Sequence, residues 1–171
     1  MAPSNEERRP AEVTDAMIDE TLSRIVALAP DAEEAAFHAF AARQPHIVAF
    51  VAAVSEEYGD AVEELAVDLL YEIDAVFADF AGAPLPTIPD DVVQRTSLAV
   101  VSALEAALVS GAPAPEPPQP RLMAFVEESL GETFEDEDGE SNELGEDERA
   151  ELLIAFRTVV TLLDDALRAQ A

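Results

Sequence analysis

Apolar residues recur at three- and four-residue spacing along almost the whole chain, and proline or glycine stands at nearly every break in that pattern. The spacing puts apolar side chains on one face of a helix and conflicts with the two-residue alternation of a half-buried strand. The chain therefore reads as all-α, an irregular bundle of six to seven helices. Its 171 residues fit one domain with a core of ordinary size.

Taken in order, residues 1–9 read as a flexible tail and residues 10–171 as the helical domain. Val13, Met17, Ile18, Leu22, Ile25 and Val26 predict a first helix from about Pro10 to Ala29, ended by Pro30. Asp31 and Glu34 form a capping-box pattern at the start of a second helix, which carries Phe37 and Phe40 and stops before Pro45. Pro45 opens a third helix with the stripe Ile47, Phe50, Val51 and Val54. After Gly59, Asp60 and Glu63 open a long fourth helix to about Phe80. A connector with three prolines, 82–89, leads to a fifth helix over about Asp90–Ser110. That helix is apolar nearly all round from Leu98 to Val109, so it is expected to be central and buried. The proline-rich linker 112–120 precedes a short sixth helix from Pro120. Residues 132–148 hold ten acidic residues and no basic one, and read as a solvated loop. A last helix follows from about Glu146 to Ala169.

One stretch occurs twice. Gln44-Pro45-His46-Ile47-Val48-Ala49-Phe50-Val51 returns 75 residues later as Gln119-Pro120-Arg121-Leu122-Met123-Ala124-Phe125-Val126. Glutamine is scarce in the chain, and two of its four copies open these octapeptides. The pair predicts an internal duplication with halves of about 10–81 and 88–170. Its shared residues suit helix starts and packing better than ligand binding: Pro45 and Pro120 begin helices, Phe50 and Phe125 plug the core, and Ala49 and Ala124 permit close contact. His46 and Arg121 fall at the variable, exposed third place.

The formal net charge is −28, and all nine basic residues are arginine. Such a surface repels phosphate backbones and anionic lipids, which argues against nucleic-acid or membrane binding and favours a basic partner. A high-salt habitat would account for the charge equally well. The absence of cysteine removes disulfides, thiolate catalysis and sulfur-ligated metals. Met1–Arg9 has no apolar segment of the signal-peptide kind, and the run Leu98–Val109 is too short to span a bilayer, so the chain reads as cytoplasmic.

Motifs for chemistry fail on spacing. Glu-x-x-His is absent, because Ala35 and Arg43 precede His38 and His46 by three residues. Glu34 and His38, four residues apart, read as a surface pair. A calcium loop around Gly139 would need an acid where Phe134 stands and Glu where Gly145 stands. Glu64, Asp68, Glu72 and Asp79 form a negative stripe on the fourth helix that reads as a solvated face. No catalytic, cofactor-binding or metal-ligating residue is expected. The sequence points to a non-enzymatic, acidic interaction module (adaptor, chaperone or inhibitor-like) that holds a basic protein. A ligand- or cation-binding helical domain is the alternative and a nucleic-acid mimic a third reading. A surplus apolar face on the fifth and seventh helices would permit a homodimer. The sites of difference between the halves, the Phe37/Phe40 helix and the acidic loop, are where function is best sought.

Overall fold

The computed structural model describes residues 12–135 and 139–170. The tail expected at 1–9 lies outside them. Among the described residues seven α-helices run in the order α1 Asp15–Val26, α2 Pro30–Arg43, α3 Pro45–Ser55, α4 Asp60–Ala81, α5 Asp90–Ser110, α6 Pro120–Ser129 and α7 Glu146–Arg168. A 3-10 turn, Glu56–Tyr58, joins α3 to α4. Between α6 and α7 lie two short antiparallel strands, β1 Phe134–Glu135 and β2 Ser141–Asn142. The all-α bundle expected from the spacing is what forms.

α3, α4 and α7 make the centre, each packed on the other two. α1 lies along α4, α6 against α7, and α5 along α7 and α3. Val51, Ala66, Ile73, Phe77, Val126, Phe156, Val159 and Val160 are buried at the junction. Burying each large apolar side chain of this kind contributes about 1.5–3 kcal/mol.

Gln44 and Gln119 are buried and do more than start helices. The Gln44 carboxamide oxygen accepts the Ile88 N–H at 3.1 Å, and its nitrogen donates to the Pro86 carbonyl at 2.9 Å. The Gln119 oxygen accepts the Val13 N–H at 2.9 Å, and its nitrogen donates to Asp164 Oδ1 at 2.7 Å. Val13 and Ile88 stand 75 residues apart, as the two glutamines do. Each glutamine therefore fastens the extended segment that leads into the first long helix of the other half. The octapeptides also share their burial pattern: Ile47 and Leu122, then Val51 and Val126, face inward. On the long helices, Val62, Ala66, Leu69, Leu70, Ile73 and Asp74 match Leu152, Phe156, Val159, Val160, Leu163 and Asp164 at a constant offset of 90, all of them buried. The 15 extra residues fall in the acidic stretch before α7.

Several local expectations are overturned. α1 begins at Asp15, capped by Thr14, whose hydroxyl accepts the Met17 N–H at 3.3 Å. Pro30 opens α2 rather than ending α1, because a proline at the first helical position gives up no helical bond. Asp31 is thereby moved inside the helix and the Asp31/Glu34 capping box does not form. Asp60 likewise lies inside α4, preceded by Gly59 at φ +98°, a conformation glycine takes without strain. Ala49 and Ala124 are exposed, while Phe50 and Phe125 are only partly buried. The acidic stretch is not a plain loop. Phe134, in β1, and Leu144, just after β2, pack on the core, and β1 pairs antiparallel with β2.

The largest correction concerns α5. Only Val93 and Ala107 are buried along it, and Leu98, Leu108 and Val109 lie open. α4 and α7, flanked on more sides, take the centre instead. The helix also extends back from Leu98 to Asp90, so it is long and apolar enough, by length and composition, to cross a membrane.

Replacing Gln119 by alanine leaves the buried Val13 N–H unpaired and removes one partner of Asp164. Urea unfolding is expected to show a loss of about 2–3 kcal/mol. Gln119→Glu, which sets a carboxylate against Asp164, is expected to lose more at neutral pH and to recover part of the loss on acidification.

Candidate functional site

α2 and α4 do not meet along their whole length. Between them, with Ile25 of α1 at one end, lies an open cleft of about 680 Å³. α4 supplies Asp60, Glu63, Glu64, Val67, Asp68, Tyr71 and Glu72. These positions recur at three to four residues and so share one face of the helix. α2 supplies Pro30, Glu33, Glu34 and Phe37 to the opposite wall. Seven carboxylates therefore face this space, and none of the residues lining it is basic.

The floor is aromatic. Phe37 and Tyr71 meet edge to face with ring centroids 5.7 Å apart, and Phe40 lies 6.0 Å from Phe37 and 5.7 Å from Tyr71. Phe40 is fully buried and anchors α2, while Phe37 and Tyr71 present ring surface to the cleft. Edge-to-face packing of this kind fixes ring positions, so the floor is preformed.

The negative stripe of α4 is not a uniformly solvated face, as the spacing suggested. Glu72 is half-buried, and burial first, then the Asp68 and Glu132 carboxylates, pushes its pKa up. Asp68 stays exposed as a residue, yet the cleft walls desolvate its carboxyl and raise its pKa, with Glu64 and Glu33 adding to the shift. Burial also raises the Tyr71 hydroxyl, helped by Glu33. Asp68 and Glu72 form a ridge, because a second cleft of about 450 Å³ opens on their other side toward Phe125, Glu132 and Phe134. The acidic groove thus runs from the start of α2 across α4 to the hairpin. Glu64 joins it; Asp79 does not. Asp79 accepts from Thr21 at 2.7 Å and pairs with Arg24, holding α1 on α4.

The remaining residues weighed in the sequence fall elsewhere. Glu34 and His38 lie 3.5 Å apart on the surface of α2, both largely exposed. His46 is exposed, and Arg121 lies 3.8 Å from Asp15 on the surface. Among the described residues, no three His, Asp or Glu side chains are grouped to hold a metal ion. Tyr71 and Asp74 carried no sequence motif. Tyr71 could have been noticed four residues after Val67 on the stripe's own face. Asp74 is buried on α4 and paired with Arg43, but burial outweighs the pairing and its pKa is raised.

No protein-family model matches the chain, and no similar curated protein or solved structure is found.

Carboxyls with raised pKa favour the fold while they are protonated. That contribution is intact below the ordinary range near 4 and is lost as pH rises through the raised values. The combined variant Asp68→Asn/Glu72→Gln is therefore expected to melt about 2 °C or more above the native chain at neutral pH. Calorimetry across pH should show that difference shrinking toward zero at the acidic end.

Proposed function

We propose that this protein is a non-enzymatic interaction module, acting in the cytoplasm, that holds a basic segment of another protein in the acidic cleft between α2 and α4. One observation carries the reading: seven carboxylates and no basic residue line the cleft around the Phe37–Tyr71 floor. Guanidinium groups suit both parts of such a cleft. They form charge-assisted hydrogen bonds with carboxylates and stack on aromatic faces. Single exposed ion pairs contribute only about 0–1 kcal/mol each, so binding rests on several at once and on an arginine seated over the rings. The spread of the carboxylates along about three turns of α4 suits an extended occupant rather than a single metal ion.

A small organic cation is the alternative occupant. The cleft volume of about 680 Å³ favours it, being in the range of small-molecule sites.

Titration calorimetry with an arginine-rich peptide tests the main reading. Binding is expected to weaken steeply as salt rises from about 0.05 to 0.5 M. Tyr71→Ala and the Glu64→Gln/Asp68→Asn pair are each expected to weaken it about five- to tenfold, roughly 1 kcal/mol. Glu127→Gln/Glu128→Gln on α6 removes the same charge away from the cleft and should leave affinity unchanged. Equal losses in the α6 and cleft variants would reduce the interaction to diffuse charge and end the proposal.

A further inference from the structure

Five large apolar side chains are the most exposed among the described residues, and three of them, Leu98, Leu108 and Val109, lie on α5 at 69%, 83% and 88% exposure. Val101, partly buried, lies between them on the same side of the helix. An apolar helix face in water marks a contact surface. Its charge pattern indicates what covers it. From Thr96 to Ser110 the only charged residue is Glu105, in a chain of net charge −28. Two copies of so acidic a protein repel one another over most of their surface. α5 is a place where they can meet without stacking like charges.

The charges at this face are self-complementary. Arg95 stands ten residues before Glu105, about 80° away around the helix, so Arg95 borders the strip that holds Leu98 and Glu105 lies within it. In a parallel pair, Arg95 would face Arg95 and Glu105 would face Glu105. In an antiparallel pair crossing near Val101, Arg95 of one copy and Glu105 of the other differ by about 3 Å along the axis, within side-chain reach. A two-fold axis then makes the contact twice. Inside one copy Arg95 makes a loose pair with Asp91, at 3.8 Å with both side chains largely exposed.

We propose that α5 is the seam of a homodimer: two copies pack antiparallel through Leu98, Val101, Leu108 and Val109, and two reciprocal Arg95–Glu105 pairs set the direction. The dimer does not depend on the acidic cleft, which lies on α2 and α4.

Sedimentation equilibrium of the full chain, in salt sufficient to screen its charge, is the test. The native chain is expected to reach twice the chain mass, and Leu98→Glu to sediment as a monomer. Arg95→Glu and Glu105→Arg are each expected to weaken dimerisation about tenfold, and the combined variant to return within about threefold of the native value. All three positions are exposed, and circular dichroism checks that the variants stay helical. A native chain that stays monomeric at every concentration overturns the proposal. So does a double variant no better than the singles. A monomer that floats with phosphatidylcholine vesicles would assign α5 to a lipid surface and would equally overturn it.

Discussion

Two buried carboxamides tie the bundle together. A glutamine amide offers one acceptor and two donors, and burial without partners would cost each group about 1–3 kcal/mol. Gln44 and Gln119 meet this demand by binding backbone that no helix can satisfy: the segment 86–88 ahead of α5 and Val13 ahead of α1. These segments would otherwise bring bare N–H and carbonyl groups to the edge of the core. The position of two helix starts and of two extended segments thus depends on one residue type used twice. The same bonds support the proposal that the halves share an origin, since the donors and acceptors repeat at the spacing of the octapeptides.

The second constraint is charge. Most of the acidic residues lie on the surface, but Asp74 and Asp164 sit in the core at matching places on α4 and α7. Asp164 is well satisfied, by Gln119 and by Arg168 Nε at 2.5 Å. Asp74 is not: its Oδ1 and the Nε of its partner Arg43 have no hydrogen-bond partner among the described protein groups. A half-satisfied buried pair favours neither protonation state fully, and here burial wins over the pairing. The first half differs in one further way. α2 stands where the second half has its proline-rich linker, and that helix, laid beside α4, creates the cleft.

The helix count, the Pro45 and Pro120 starts, the α5 limits and the inner faces of α4 and α7 were legible in the sequence, because each is set by local rules: spacing, proline at the first turn, glycine after the last. The place of α5 was not. Periodicity reports which residues could be buried; whether they are depends on how many neighbours cover them, and α5 packs mainly on α7 and α3 while α4 also meets α1, α2, α3, α6 and α7. Of the cleft, Phe37 and the stripe Glu64, Asp68 and Glu72 were visible as residues. Their meeting with Tyr71 was not, because it depends on how α2 turns after Pro30. The role of the glutamines escaped for a related reason: each acts on backbone 42 to 106 residues away.

That separation bears on how the chain folds. Val13, near the start of the described residues, is held by Gln119, which in turn is held by Asp164 near the end of α7. Segment 86–88 is held by Gln44 from the opposite direction. Neither half can fasten the segment that leads into its own first helix. During synthesis α1 can form and pack on α4 through Asp79, but the segment ahead of it is fastened only after Gln119 and α7 have emerged. A helical protein built on local contacts folds quickly; one whose closing bonds span most of the chain must first close large loops, and folds as a single late step.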